Sequence, residues 1–296
     1  MSKKNSAKIY QQQKAYRQNK PLVSVIIPAH NQQRYLSSCL ESVVGQTYQQ
    51  LEIIIIDDLS TDKTTKIIQN WQQKDHRIKA FRNIKNLGAT GSRNQGIKHA
   101  NGKYIAFLDS DDTWHRNKIK LQLAKFNNSR TGLVYCSTRN IDKTGKEIGG
   151  DKALWKGDVF LRLIRAMRIV GSNSSVIVRK SLLDRYGHFN PKLPYTGDWE
   201  LWLRLSSHCQ FDYCPQTLTN IRRHANSLGA NNHRFILNHL HLFATTPTII
   251  FYHPSLPLYQ KAHCLYYLLS NTIDQLQALK HEAQQLLVKK IKTAIS

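Results

Sequence analysis

A chain of 296 residues with 41% hydrophobic content is long enough for one large α/β domain or two modest ones around a real core, which excludes a disulfide-stapled miniprotein and a chain disordered throughout. Its 43 Lys and Arg against 19 Asp and Glu leave a formal charge of +24, so the molecule seeks an anionic partner: nucleic acid, an acidic membrane leaflet or a phosphorylated small molecule. The five cysteines, Cys39, Cys136, Cys209, Cys214 and Cys264, are odd in number and scattered, with no second close pair to complete a zinc site, and read as reduced thiols of a cytoplasmic protein.

In chain order, residues 1–20 carry Lys3, Lys4, Lys8, Lys14, Arg17 and Lys20 with no acid and no apolar signal-peptide core, as a flexible basic arm would. From Pro21 the pattern alternates between short β-rich runs and amphipathic stretches of about a dozen residues, the signature of βαβ units. Leu22–Ile27, Leu51–Ile56 and Tyr104–Leu108 are nearly continuous apolar runs, as suits strands covered on both faces, and the weaker run Ile78–Phe81 supplies another strand. Between them Tyr35–Val44, Thr64–Trp71 and Gly91–Ala100 repeat apolar residues at helical spacing. Beyond residue 108 the order is mixed: strands at Gly132–Ser137 and Ser175–Arg179, a turn-rich loop at Asp142–Gly150, and helices starting near Arg116 and at Gly157–Arg165 and Trp199–Ser207. The expected fold class is α/β, with a Rossmann-like, mainly parallel mixed sheet flanked by helices. After about Asn231 the composition shifts to His, Leu, Tyr and Gln, and Lys280–Ile295 reads as a basic helix. No run of about 18 strongly apolar residues marks a membrane-spanning helix. The charge-free stretch between Arg234 and Lys261 contains Pro247, Pro254 and Pro257 and is expected to lie on a surface.

Ligands of parallel sheets bind beyond the carboxyl ends of the strands, and there the polar residues concentrate: Pro28-Ala29-His30-Asn31, Asp57-Asp58-Leu59-Ser60-Thr61-Asp62 and Asp109-Ser110-Asp111-Asp112. Three carboxylates within four residues repel one another unless a proton or cation sits among them. Asp109 and Asp111, two apart on an extended segment, can face one site with Asp112 beside them, and a hard cation taking carboxylates plus substrate phosphates fits that pattern. Turn and helix-start residues fit it as well. Asp57 and Asp58 admit the same two readings: a helix start, or acceptors for a base N–H or ribose hydroxyl. No glycine-rich phosphate loop lies between Ile27 and Leu36, which argues against a dinucleotide or P-loop enzyme.

The segments Val23-Ser24-Val25-Ile26-Ile27-Pro28-Ala29-His30-Asn31, Ser42-Val43-Val44-Gly45-Gln46-Thr47, Asp57-Asp58-Leu59-Ser60-Thr61-Asp62, Asn86-Leu87-Gly88, Arg93-Asn94-Gln95-Gly96 and Asp109-Ser110-Asp111 follow one another as in glycosyltransferase family 2, which has the GT-A fold. Gly197-Asp198-Trp199-Glu200 resembles the family's acid-rich segment bearing the catalytic base, and Arg222-Arg223-His224 a later segment whose His reaches metal or diphosphate. The resemblance covers about residues 21–230, between the arm 1–20 and a helical extension 231–296 expected to contact membrane or acceptor. It implies inverting transfer of a sugar from a nucleotide diphosphate, UDP above all, to a hydroxyl of a glycan or lipid-linked acceptor in surface polysaccharide or lipopolysaccharide synthesis. By the resemblance Asp198 is the base; Asp109, Asp111, Asp112 and His224 hold Mn²⁺ or Mg²⁺; and Pro28, His30, Asn31, Asp57, Asp58, Ser110 and Arg93 form the donor pocket, Arg93 neutralising phosphate. Peripheral attachment to the cytoplasmic face of the inner membrane follows from such acceptors and from the basic charge.

Two positions depart from the family pattern: Leu59 stands where Gly is usual, a strained choice if that position needs positive φ, and Gly91-Ser92 replaces the usual Ala before Arg93. Trp199 and Trp202 read as core residues rather than a sugar platform. The rivals are a sugar nucleotidyltransferase, a basic nucleic-acid binder and an inactive member of the same family. The first would show a glycine-rich loop, the second lacks a recognition helix or aromatic platform, so no nucleic-acid partner is expected, and the third would not need Asp109, Asp111 and Asp198.

Overall fold

The computed structural model describes residues 20–166, 172–193 and 196–224, residues 246–251 and scattered residues between 253 and 277. The first half is β1 (Val23–Ala29), α1 (Leu36–Val44), β2 (Leu51–Asp57), α2 (Thr64–Lys74), β3 (Ile78–Arg82), α3 (Gly88–His99) and β4 (Tyr104–Phe107). The second half is β5 (Thr113–Trp114), α4 (Lys118–Leu123), β6 (Thr131–Ile141), β7 (Glu147–Asp151), α5 (Phe160–Ala166), β8 (Ile177–Arg179), α6 (Lys180–Tyr186), α7 (Gly197–Ser206) and β9 (Gln210–Arg222), with a 3₁₀ turn at Asn173–Ser175 before β8. The sheet runs β3-β2-β1-β4-β8-β6-β9-β5, with β7 on β6. Its first four strands are parallel; β8 then enters antiparallel to both β4 and β6, and β9 lies parallel to β6.

The continuous apolar runs are strands sandwiched on both faces, as expected for buried parallel strands. In β2, Ile53 and Ile55 join Leu36, Leu40 and Ile68 in one cluster, while Ile54 and Ile56 join Ile97, Phe107 and Trp202 in the other. One strand thus feeds two cores, because successive side chains alternate across the sheet. Trp199 and Trp202 are buried in the second core, as read from the sequence.

The second half departs from expectation in several elements. The segment read as the loop Asp142–Gly150 contains β7, paired antiparallel to β6 around a short turn. The 13-residue β9 and the helix α6 were not anticipated. β9 escapes a pattern reading because Pro215 sits inside it; the register with β6 slips there, from Cys136 opposite Cys214 to Ser137 opposite Thr217, and the freed Pro215 carbonyl accepts from Ser137 Oγ at 2.9 Å. The helix expected near Arg116 starts at Lys118, after the two-residue β5. Residues 246–251 and 260–266 are helical, whereas most of the basic arm, the boundary at 230 and Lys280–Ile295 lie outside the described residues.

Gly96 governs how α3 lies against β1. A Cβ there would penetrate Ile26 Cγ2, so only glycine permits the approach that brings α3, and Arg93 one turn earlier, over the strand ends. Replacing Gly96 by Ala is expected to cost about 1–3 kcal/mol through overpacking. The melting temperature in a thermal denaturation scan should fall by about 2–4 °C for each kcal/mol; an unchanged midpoint would contradict this packing.

Candidate active site

A cavity of about 450 Å³ opens at the carboxyl ends of β1, β2 and β4, at the mouth of the parallel sheet. Of the twelve site residues read from the sequence, Pro28, His30, Asp58, Arg93, Ser110, Asp109, Asp111, Asp112, Asp198 and His224 line it. Asn31 and Asp57 do not. Asp57 Oδ1 accepts from the Ser60 amide at 2.9 Å and Oδ2 from the Thr65 hydroxyl at 2.7 Å, so this acid braces the turn into α2, the helix-start reading. Asn31, at φ +54°, accepts from the Thr61 amide through Oδ1 and ties the β1–α1 loop to the same turn. Between them Leu59 adopts φ +61°, the left-handed conformation in which a glycine would be unstrained.

On this floor Asp58 is buried, with Oδ1 accepting from Asn83 Nδ2 and from the Leu87 amide, each at 2.8 Å. Asn83 also donates to the buried Ser92 hydroxyl at 3.0 Å, so the serine in place of the usual alanine braces this wall. His30 Nδ1 donates to the Asp58 carbonyl at 2.6 Å while Nε2 accepts from Asn31 Nδ2 at 3.3 Å, a pattern that selects the neutral Nδ1–H tautomer.

The acid loop after β4 divides its three carboxylates among different partners. Asp109 pairs with Arg93 Nη2 at 2.5 Å, and the guanidinium lies over the Phe189 ring. Arg93 therefore spends its charge on Asp109 rather than standing free for phosphate. Its Nε is buried without a partner among the described residues. Asp111 Oδ2 lies 2.9 Å from His224 Nε2; burial and then the neighbouring Asp109 charge push the Asp111 carboxyl above its ordinary range, against the pull of His224. Asp112 is enclosed: Oδ2 accepts from the Ser174 hydroxyl at 2.6 Å and Oδ1 from the Arg222 amide at 2.8 Å. Burial drives its pKa well upward, with Asp111 and Asp109 adding to it. Asp112 is thus a fastening of the loop, both oxygens already committed.

Three residues whose roles the sequence did not disclose assemble this arrangement. Ser174, in the 3₁₀ turn, accepts from the Asp109 amide at 2.9 Å while donating to Asp112. The polar run Ser172-Asn173-Ser174-Ser175 before a strand was the available signal. Arg222, at the end of β9, donates through Nε to the Asp111 carbonyl at 3.0 Å. Tyr35 stacks on the His224 ring with centroids 5.4 Å apart and underlies the Arg222 guanidinium at 4.6 Å.

Asp198 reaches the cavity from the first turn of α7, which Trp199 and Trp202 anchor in the core. Its Oδ1 accepts from the Trp199 amide at 2.8 Å. Burial raises its pKa, outweighing that hydrogen bond and the Arg93 charge. A half-buried carboxylate so tuned can accept a proton from a hydroxyl.

Among the described residues no three His, Cys, Asp or Glu side chains form a closed metal cage. Asp111 and His224 nevertheless put one oxygen and one nitrogen donor side by side on the cavity wall, in a setting whose burial opposes the carboxylate charge; an oxygen-seeking divalent cation completed by diphosphate oxygens suits that pair.

Removing the Ser174 hydroxyl strips Asp112 and the Asp109 amide of one partner each. Ser174→Ala is expected to destabilise the protein by about 1–3 kcal/mol in urea unfolding; a loss below about 0.5 kcal/mol would show the loop held by other means.

A family model described as "Glycosyl transferase family 2" matches residues 24–187. An uncharacterized glycosyltransferase of Rickettsia bellii is 33% identical over 201 residues, covering 68% of this chain and 28% of its own length, so the chain spans under a third of that relative. The putative teichuronic acid biosynthesis glycosyltransferase TuaG of Bacillus subtilis is 44% identical over 104 residues, 35% of this chain and 41% of TuaG. The crystal structure of S. aureus TarS 1-349 in complex with UDP superposes with a TM-score of 0.67 at 20% identity, over 83% of this chain and 70% of that one. The mannosyltransferase PcManGT of Pyrobaculum calidifontis, in complex with GDP-Man and Mn²⁺, gives 0.61 at 18% identity, over 97% and 88%. With the strand order, the cavity at the strand ends and the acid loop already in place, these likenesses establish that the chain belongs to glycosyltransferase family 2 and has the GT-A fold.

Proposed function

We propose that the chain is an inverting glycosyltransferase that moves a sugar from a nucleotide diphosphate, UDP in the first instance, to a hydroxyl of a surface-glycan acceptor such as a capsular, lipopolysaccharide or related polymer. The observation that carries this reading is Asp198, its carboxyl tuned upward by burial, opening into the same cavity as the acid loop. The UDP of the TarS complex and the teichuronic acid role given to TuaG support donor and pathway class.

In the proposed reaction Asp198 takes the proton of the acceptor hydroxyl as its oxygen bonds to the anomeric carbon. The diphosphate departs from the opposite face with the bonding pair, which inverts the centre. Asp58, held by Asn83 and the Leu87 amide, offers a carboxylate to a base N–H, with His30 and Pro28 flanking it. Asp111 and His224 would hold Mn²⁺ or Mg²⁺, which supplies charge neutralisation for the leaving diphosphate. Arg93 keeps Asp109 paired, and Ser110 lines the donor side.

The charge of +24 and the exposure of Phe251, Leu258, Leu265, Tyr266, Leu269 and Ile273 support peripheral contact with an anionic membrane by the C-terminal segment. No helix among the described residues is long and apolar enough to cross a bilayer. Leu258, Leu265, Leu269 and Ile273 recur at helical spacing.

Three outcomes are expected. Asp198→Asn should reduce transfer by about 10²–10⁴-fold with UDP affinity within about twofold of wild type. Because burial raises the pKa of a group that must be ionised, the wild-type rate should fall as pH drops through a value above the ordinary carboxylate pKa of about 3.9. Full transfer by the variant would remove Asp198 from the reaction. Separately, Leu265→Glu/Leu269→Glu should cut co-sedimentation with phosphatidylglycerol vesicles while leaving the melting temperature in place; equal pelleting of variant and wild type would rule out this face as the contact.

A further inference from the structure

A second hollow, of about 390 Å³, has no part in the reaction just described. Arg34, Tyr35, Lys143, Thr144 and Arg222 line it. Arg222 lines the donor cavity as well, so one guanidinium borders both spaces.

Two loops far apart in sequence meet here: the one entering α1, with Arg34 and Tyr35, and the β6–β7 turn, with Lys143 and Thr144. Arg222 ties them together. Its Nη1 donates to the Asp142 carbonyl at 3.1 Å and its Nε to the Asp111 carbonyl at 3.0 Å, while its plane lies over the Tyr35 ring that His224 stacks upon. The wall of the hollow is therefore built from the residues that position the acid loop.

Asp142 is the carboxylate of this turn. Its Oδ1 accepts from the Thr144 hydroxyl at 2.6 Å, the Thr144 amide at 2.8 Å and the Lys146 amide at 3.0 Å, bonds that hold its pKa below the ordinary range, the Thr144 hydroxyl foremost. That oxygen is turned into its own loop, leaving the hollow lined by three cationic side chains, a hydroxyl and one aromatic wall. Guanidinium and ammonium groups converging on a concavity are the donors that phosphate and carboxylate oxygens require.

We propose that this hollow is a second anion subsite, which holds a phosphate or carboxylate of an acidic glycan acceptor outside the donor cavity. The assignment rests on the transferase reading for the identity of the acceptor and on the geometry alone for the chemistry of the site. It makes the acceptor an acidic polymer rather than a neutral one, and gives Arg34 and Lys143 a task distinct from donor binding.

The test fills the donor cavity first. Protein saturated with UDP and Mg²⁺ is titrated calorimetrically with inorganic phosphate, methyl β-glucuronide and the neutral methyl β-glucoside. The two anions are expected to bind at least tenfold more tightly than the glucoside. In Arg34→Gln/Lys143→Gln, two exposed positions, anion affinity should fall at least tenfold while UDP affinity stays within twofold. Preference for the glucuronide assigns the acceptor anion as a carboxylate, and preference for phosphate assigns it as a phosphate. Absence of anion binding, or binding that the double variant leaves unaltered, overturns the subsite. Should UDP itself fail to bind, the donor reading falls, and the same anion titrations on wild type and variant without nucleotide still decide the subsite.

Discussion

The structure turns on keeping three carboxylates within four residues at the mouth of a sheet without mutual expulsion. At distances of a few ångströms in a partly dry environment, like charges cost several kcal/mol unless each is met by a partner. The fold meets them one at a time: Asp109 by Arg93 from α3, Asp111 by His224 from the end of β9, and Asp112 by the Ser174 hydroxyl and the Arg222 amide. The partners come from three places in the chain: α3, the 3₁₀ turn and the end of β9. Assembling the loop therefore requires α3 pressed onto β1 through Gly96, β8 placed beside β4 by the 3₁₀ turn, and β9 running long enough to bring Arg222 and His224 back to the strand ends.

That division gives adjacent acids different chemistry. Asp112 is committed to the scaffold and Asp109 to an internal ion pair, which leaves Asp111 beside His224 as the pair able to meet a cation on the cavity wall. Asp198 is separated from all three in sequence and arrives on the first turn of a helix. An ionised carboxylate at a helix N-terminus is stabilised by the helix dipole; burial works against this and prevails, leaving a carboxylate more basic than an exposed one.

The parallel half of the molecule was legible because buried parallel strands leave an unambiguous trace: β1, β2 and β4 are near-continuous apolar runs, and the polar residues following them, acids after β2 and β4, mark the ligand edge. Ten of the twelve site residues named from sequence line one cavity for the same reason. Asp57 and Asn31 lie outside the cavity lining, a placement local pattern does not reveal because sequence shows which residues occupy a turn, not which way each faces; Asp58 turns inward while its neighbour braces the turn. The antiparallel half was harder to read. β7 is five residues with two glycines, β9 is half polar and interrupted by Pro215, and both are defined by their pairing with β6, a long-range fact that no local pattern carries. Arg93, expected in the donor pocket, lines the cavity and is paired there with a carboxylate sixteen positions away, a partner that local pattern does not reveal.

On the proposed function, Asp111 and the cavity around it hold a nucleoside diphosphate with a divalent cation. Thermal-shift measurements with UDP, GDP, ADP and their sugar conjugates, in Mn²⁺ or EDTA, on wild type and Asp111→Asn, test it directly. Ligand at about 100 times Kd stabilises by about 2.7 kcal/mol, a shift of several degrees for a domain of this size. Such a shift is expected with one nucleotide, UDP first, and is lost in EDTA and in the variant. A folded wild-type protein that responds to no nucleotide in the presence of metal would contradict it.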